Sequence, residues 1–485
     1  MKTFNNLNPT ILMRHLFIAG GSLLLGMSIA CNPIKELDPD TPAITSGDVI
    51  AHFTSANESK LFQTDYIDYS DDLGNFTIQL KPDQTYQEID GFGAALTGSA
   101  ACLLTNEMDA SSRTALLKEL FDPINGIGIS YLRLTIGSSD FSMGDYTYCD
   151  EKGIENFAIP EIDRNELLPI VKEIVSINPN IKLMATPWSA PAWMKTNNSM
   201  KGGSLKDECM ADYAEYFVKY IRAFEAEGIR FDAITTQNEP DHETTGMPSM
   251  KMSWQQQSTF IREHLGPRFR AENITTKILL LDHNWDLWEY PVNILNDRQT
   301  AQYVAGTAFH GYGGSVNQMA NVREAHPDKE LFFTEQSGGE WGGGFSGDLI
   351  WFSRDIFIGT MNQNCRNALL WNLALDDLNG PQNGGCTNCR GVVTVNGNQV
   401  MRNVEYYVLA QFAKYTQPGA KRIGYNIAGT QPTKFYISAV TNPDGSCVVF
   451  VLNDTEAVQN FSIRFGEKRI TYQISAATVG TFVLK

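Results

Sequence analysis

Glu239 and Glu335 are the residues of this chain whose type and setting best suit chemistry. Each closes an apolar run: Phe231-Asp232-Ala233-Ile234 leads into Thr235-Thr236-Gln237-Asn238-Glu239-Pro240-Asp241, and Leu331-Phe332-Phe333 leads into Thr334-Glu335-Gln336. A lone Asn-Glu-Pro is more often a polar turn than a site. Proline after the acid removes a ladder N–H, which should end the strand and leave amide and carboxylate at its carboxyl end. In parallel α/β proteins that end is where chemistry is done. Two facing carboxylates with aromatic walls are what hydrolysis of a glycosidic bond requires. One protonates the leaving oxygen while the other attacks or steadies the sugar carbon. Repulsion and partial desolvation would raise one pKa and make that group an acid near neutral pH.

The elements that must bring these two residues together are legible as an alternation. Strand candidates are 91–96, 130–136, 181–188, 232–239, 277–283, 306–312, 331–336 and 368–375. Helical periodicity falls between them, clearest over 207–227, where Met210, Tyr213, Phe217, Tyr220 and Phe224 recur before Gly228 stops the run. Other helices are expected near 112–121, 164–177, 253–265, 316–325, 348–361 and 402–415. Eight such units predict an α/β fold, a (β/α)8 TIM barrel over 89–415. A doubly wound open sheet is the runner-up, but no GxGxxG opens a helix after the first strand. In a barrel, strands four and seven lie nearly opposite, so Glu239 and Glu335 can face each other across the mouth.

Beyond residue 415 the pattern reverts to short strands at 434–440, 447–452, 461–465, 471–474 and 481–484, with Asn442-Pro443-Asp444-Gly445 as a turn. Residues 56–88 also alternate like strands and need partners. The expectation is a side β-sandwich formed from both chain ends, 56–88 and 416–485.

Other polar residues crowd the same strand ends: Arg133, Asp140, Trp188, Asn238, His310, Tyr312, Trp371 and Asn372. Trp188, Trp193, Trp341 and Trp371 suit the apolar faces of sugar rings. The seven histidines are scattered and no HExxH appears, so neither a metal nor another cofactor is expected. No Gly-x-Ser-x-Gly elbow points to a serine hydrolase, and the glycine runs at 338–344 lack the Lys-Ser/Thr of a phosphate loop.

A formal charge of −17 and a pI near 4.9 argue against nucleic acid as a partner. The opening 30 residues carry Lys2 and Arg14, no acid, and one apolar run from Leu16 to Ile29, which reads as a signal peptide over 1–30. Its end, Ser28-Ile29-Ala30-Cys31, resembles a bacterial lipobox with Cys31 as the lipidated residue, although Ser28 stands where leucine is commonest. Residues 31–55 read as a flexible tether. Export to the outer membrane by a lipid anchor, with the cell surface as the destination, is the expectation, and periplasmic location or simple secretion is the alternative. Seven cysteines remain after Cys31, an odd number. Cys386 and Cys389 form a lone CxxC that reads as a local disulfide or two packed thiols rather than a zinc site.

Several ordered motifs together resemble glycoside hydrolase family 30. They are Gly91-Phe92-Gly93-Ala94-Ala95-Leu96-Thr97, Tyr131-Leu132-Arg133-Leu134 with Asp140-Phe141-Ser142, and Ala185-Thr186-Pro187-Trp188-Ser189-Ala190-Pro191-Ala192-Trp193. Thr236-Gln237-Asn238-Glu239-Pro240, Phe309-His310-Gly311-Tyr312, Phe333-Thr334-Glu335 and Trp371-Asn372-Leu373-Ala374-Leu375 follow in order. The resemblance runs from about residue 75 onward. It implies a (β/α)8 barrel with a side sandwich, Glu239 as acid/base and Glu335 as nucleophile of a retaining mechanism. It further implies that Asn238 contacts the sugar 2-hydroxyl and that Arg133, Asp140, Trp188, His310, Tyr312 and Trp371 line the pocket of the reacting sugar. Retention needs the carboxyl groups about 5 to 5.5 Å apart, against about 8 Å for inversion. The stretch from Asn379 to Gly391 is similar to the loop of endo-β-1,6-glucanases of that family, which favours β-1,6-glucan as substrate. Glucosylceramide or another β-glucoside is the alternative, and a non-catalytic glycan-binding lipoprotein is the alternative of another class. A monomer is expected.

Overall fold

Eight parallel strands close into a barrel. They are, in order, Gly91–Leu96, Tyr131–Thr135, Lys182–Thr186, Ala233–Thr235, Lys277–Asn284, Val304–His310, Glu330–Glu335 and Asn367–Leu370. Each pairs with the next through strand seven, and strand eight pairs back onto strand one, Asn367 opposite Gly91. Bridges Leu331–Cys365 and Ser337–Trp371 join seven to eight. The structure, a computed structural model, describes residues 47–485. The predicted signal peptide, Cys31 and residues 31–46 of the predicted tether lie outside the described residues.

These strands are apolar on both sides because one face meets helices and the other fills the barrel. Tyr131, Met184, Ala233, Leu279, Ala308, Phe332 and Leu369, one from each of strands two to eight, form a closed apolar plug. Side chains alternate along a strand, so the residue two positions on points inward one layer higher. Those residues are Arg133, Thr186, Thr235, His310, Thr334 and Trp371. Apolar filling thus gives way to a polar layer within a single repeat of the pleat.

Around the barrel run helices including Ala110–Phe121, Leu168–Ile177, Met210–Ala226 and Val404–Ala413. Asp109 caps the first by accepting from Ser112 N–H. The longest buries Tyr213, Phe217, Tyr220 and Phe224 on one stripe, as its spacing predicted, and Gly228 follows it at φ +85°. Among the described residues no helix is long and apolar enough to cross a membrane.

The second sheet has nine strands and wraps its own apolar core of Phe53, Ile78, Phe435, Val449, Phe461 and Phe482. Both ends of the described chain enter it. The predicted strands over 434–484 are present. Two strands are not where the sequence reading put them. Val49–Ser55, inside the predicted tether of 31–55, pairs along its whole length with Thr478–Leu484 and with Gln63–Ile67. Ala420–Gly429 joins the 14-residue strand Phe76–Ile89 with register shifts near Ile423. Phe76–Ile89 then leads through Asp90 into barrel strand one, so sandwich and barrel share one backbone path.

Candidate active site

The polar layer above the plug is organised by one buried arginine. Arg133 ends strand two with no solvent exposure and spends its guanidinium on three partners. Nη1 donates to Glu335 Oε2 at 2.5 Å, and Nη2 donates to Asn238 Oδ1 at 2.8 Å and to Asp282 Oδ2 at 2.9 Å. Its flat face lies 4.9 Å from the Trp188 ring and 5.5 Å from that of Trp371. The two indoles stack at 4.8 Å and 22°. Strands two, three, four, five, seven and eight therefore converge on one side chain.

Asp282 is the residue that sequence reasoning missed. Fully buried, it accepts from Arg133, from Thr235 Oγ1 at 2.7 Å and from Thr334 Oγ1 at 2.6 Å, and it stands 3.0 Å from His310 Nε2. Strict alternation would place Leu281 inward after Leu279. Instead Leu281 and Asp282 both take positive φ, +70° and +60°, and the pairing with strand six slips there. This bulge turns the aspartate into the barrel. The signal in the sequence was Asp282-His283-Asn284 closing a run of leucines, the same polar strand ending seen elsewhere on the rim.

Glu239 sits four residues beyond the end of strand four, which stops at Thr235 and not at the proline. Backbone bonds hold the intervening turn on both sides, Asn238 N–H to Pro187 carbonyl at 2.8 Å and Glu239 N–H to Asp282 carbonyl at 2.9 Å. Glu239 has φ +44°, a left-handed conformation that costs a β-carbon residue energy and persists where its surroundings impose it. Glu335 ends strand seven as predicted. Its other oxygen, Oε1, accepts from the Tyr312 hydroxyl at 3.0 Å, and that hydroxyl also accepts from Ser337 N–H at 3.0 Å.

His310 links the two carboxylates. Its Nδ1 is 3.2 Å from Glu239 Oε1 and 3.8 Å from Glu335 Oε1. The two oxygens can therefore be no more than about 7 Å apart, a bound that admits the separation of about 5 to 5.5 Å of a retaining pair. Burial works against charge on His310, but the carboxylates of Glu335, Asp282 and Glu239 outweigh it and push its pKa up to about 9. Asp282 resists the upward effect of its burial because Arg133 and His310 hold it far below the usual carboxylate range. At Glu335 burial prevails over His310 and Arg133 and raises proton affinity above the ordinary value. At Glu239 burial also pushes upward, but contact with His310 and the charges of His310, His283 and His242 outweigh it and lower the pKa. The free site therefore keeps its two carboxylates unequal, linked through one imidazolium.

A cavity of about 650 Å³ opens above this cluster. Asp140, Trp188, Asn238, Glu239, Tyr312, Glu335 and Trp371 all line it, and Arg133 and His310 lie beneath. Every predicted site residue within the described chain is thus brought together. Burial, followed by the charges of Glu335 and Glu239, raises the Asp140 carboxyl well above its ordinary value. Trp341 borders the cavity with 54 % of its surface exposed. Trp193 departs from the predicted aromatic wall: it packs on the barrel core, and its Nε1 donates to the Cys149 carbonyl at 2.9 Å.

The remaining wall is the loop after strand eight. Cys386 and Cys389 are joined in a disulfide and line the cavity beside Gly384, Gly385 and Asn388. Asn383 and Gly385 N–H groups both donate to the Asp140 carbonyl, at 2.6 and 3.1 Å. Arg390 locks the far end, pairing across Gly338 as a short antiparallel bridge and bonding Glu405 at 3.0 Å, Asp348 and the Gly339 carbonyl. The disulfide loop and the segment following Glu335 are therefore joined by both backbone and side-chain bonds. Histidines that looked scattered in the sequence also meet here, since His283 and His310 flank Glu239.

Known proteins share this arrangement. Residues 89–416 match the glycosyl hydrolase family 30 TIM-barrel domain and residues 419–482 that family's β-sandwich domain. The endo-1,6-beta-D-glucanase of Trichoderma harzianum is 32 % identical over 396 residues, 76 % of this chain and 78 % of that protein. The lysosomal acid glucosylceramidase of Mus musculus is 31 % identical over 405 residues, 78 % and 77 % of the two chains. The solved structure of the endo-beta1,6-glucanase BT3312 superposes with a TM-score of 0.86 at 38 % identity, covering 90 % of this chain and 99 % of that one. By its barrel, its sandwich and both domain matches, the chain belongs to glycosyl hydrolase family 30 and is a hydrolase of glycosidic bonds.

Proposed function

We propose that this protein is an endo-β-1,6-glucanase that cleaves β-1,6-glucan with retention, Glu335 acting as nucleophile and Glu239 as acid/base. The observation that carries the role assignment is the contrast in how the two carboxylates are held. Glu335 is clamped at both oxygens, by Arg133 and by Tyr312, as an attacking group must be. The Glu239 carboxylate has a single hydrogen-bond partner, His310, with His283 at 3.6 Å, and borders the open cavity, where a leaving oxygen can reach it.

The free site favours the proton on Glu335, so the first step requires His310, within reach of both acids, to give its Nδ1 proton to Glu239 and take the one from Glu335. Glu335 then attacks the anomeric carbon as carboxylate while Glu239 protonates the glycosidic oxygen, and the reducing-end part of the glucan departs. The sugar is left as an ester of Glu335. Ester formation removes the Glu335 charge, so Glu239 then stands as a carboxylate that takes a proton from water as that water attacks the same carbon. Glu335 leaves as carboxylate, and two inversions restore the β-configuration. Arg133 and His310 balance negative charge on the cluster throughout. The Trp188–Trp371 stack gives the sugar an apolar wall.

The linkage rests on the 38 % identity to an endo-beta1,6-glucanase and on the disulfide loop along the cavity. A glucosylceramidase reading is supported by the 31 % identical mouse relative. Incubation with pustulan decides between them: release of gluco-oligosaccharides of β-configuration is expected. Intact pustulan beside brisk hydrolysis of an aryl β-glucoside would overturn the glucanase assignment. Glu335→Gln should bind the glucan without turning it over. An equally tight wild-type protein that also never turns over would be a glycan binder.

We also propose that Cys31 is lipidated and holds the enzyme at the outer-membrane surface. Its support is the Ser28-Ile29-Ala30-Cys31 tetrapeptide behind the apolar run. Metabolic palmitate labelling should mark the wild type and not Cys31→Ser, and equal labelling would refute the anchor.

A further inference from the structure

We infer that Glu239, His283 and His310 form an inhibitory binding site for zinc, a metal that would block the enzyme rather than serve it. The three residues each offer one ligand atom, all such atoms lying within 4.8 Å of one another. In tetrahedral zinc sites, bonds of about 2.0 to 2.2 Å set neighbouring ligand atoms about 3.3 to 3.5 Å apart. Here Glu239 Oε1 is 3.2 Å from His310 Nδ1 and 3.6 Å from His283 Nδ1. Two edges of the tetrahedron are present, and the third pair of ligand atoms lies within 4.8 Å.

Two further observations point to a metal rather than to a chance cluster. His283 is 92 % buried, yet its Nδ1 has no hydrogen-bond partner, which leaves a buried nitrogen facing the carboxylate without a role. The far nitrogen of His310 is engaged by Asp282 at 3.0 Å, and Asp282 is fixed in turn by Arg133, Thr235 and Thr334. Carboxylate–histidine pairs of this kind orient metal-bound imidazoles. Two imidazoles with one carboxylate favour zinc over magnesium or calcium, which take oxygen ligands. The cavity leaves the fourth position to water.

Zinc would occupy the oxygen of Glu239 that must reach the substrate. Binding rests on geometry alone, whereas inhibition rests also on the reading of Glu239 as proton donor. The test therefore measures the two separately on the full-length protein after chelator treatment. Titration with zinc chloride by calorimetry should give one site per chain, and cobalt chloride should give the visible band of tetrahedral cobalt. His283→Ala and the more conservative His283→Asn should each weaken binding about tenfold or more. His242→Ala, a cavity residue outside the triad, should change affinity far less than either His283 variant. Zinc should suppress glucan hydrolysis by the wild type at least tenfold, with recovery on adding EDTA. Absence of a cobalt band, or equal affinity in both His283 variants and the wild type, would overturn the site. Zinc bound as described with hydrolysis undiminished would leave the site standing and overturn both the inhibition and the role of Glu239.

Discussion

Arg133 and Glu335, 202 positions apart, form an ion pair of 2.5 Å in which the arginine is entirely buried. Asp282 completes the pair into a triad, and both acids depend on the same guanidinium. Removing the cation would leave two carboxylates buried without compensation, a change that costs about 3–5 kcal/mol where one partner of a buried pair is lost. Arg133→Gln is therefore expected to unfold earlier in urea by that order and to lose hydrolysis. Arg133→Lys keeps the charge but cannot reach three acceptors as a fork does, so its stability loss should be smaller while turnover still falls. A loss under about 1 kcal/mol for Arg133→Gln would show that the triad is dispensable.

Replacing Glu239 by glutamine removes the proton donor but leaves the clamp on Glu335 untouched. Turnover of β-1,6-glucan should fall about 10² to 10⁴-fold. Aryl glucosides with acidic leaving groups need less protonation, and their first step should be slowed less. Added azide should speed turnover of the trapped ester and yield β-glucosyl azide. An α-azide would contradict retention with Glu335 as nucleophile.

The pKa of His310, pushed up to about 9 from an ordinary 6.5, ties folding stability to pH. Below pH 6.5 the imidazole is charged in folded and unfolded chains alike, and its stabilisation is complete. Between 6.5 and 9 only the folded chain holds the proton, so stability declines as pH rises, by on the order of 3 kcal/mol in all. Urea midpoints measured at pH 6, 7.5 and 9 should fall in that order. The His310→Gln variant should show a markedly flatter dependence; an unchanged slope would place the titration elsewhere.

Gly338 has room for no side chain, since a β-carbon there would overlap Glu405 Oε1, one of the acceptors of Arg390. Gly338→Ala should cost about 1–3 kcal/mol by overpacking and loosen the bridge that holds the disulfide loop against the segment after Glu335. The expected kinetic mark is a raised KM for polymeric glucan with a smaller change for an aryl glucoside. Cys386→Ser with Cys389→Ser should act similarly on KM, with a stability loss of no more than about 2 kcal/mol because the ring it opens is short. Equal effects on polymer and aryl substrate would remove the loop from glucan recognition.

The barrel could be read from the chain because its strands are buried on both faces and stand out as apolar runs between helices. The catalytic rim was legible for the same reason: polarity at the end of an apolar run is conspicuous. Asp282 escaped because a bulge, which has no sequence period, decides that it and not Leu281 faces inward. Trp193 misled because the pattern places it on the rim loop, while its indole N–H finds a carbonyl behind the wall. Val49–Ser55 was hidden because its longer pairing is with the distant Thr478–Leu484, and its near partner Gln63–Ile67 is polar and mostly exposed. Ala420–Gly429 was masked by Lys421, Arg422, Gly424 and Gly429, residues poor in strand propensity that a long partner strand overrides.

The pairing of Val49–Ser55 with Thr478–Leu484 also sets an order of events on the ribosome. The early strand emerges more than 400 residues before its neighbour, and the whole barrel is synthesised in between. Until the late strand is released, the sheet has an open seam with unpaired backbone beside an apolar core, a surface that invites association with other chains. A nascent chain stalled before residue 478 should therefore need holding by a chaperone even when its catalytic half is already folded.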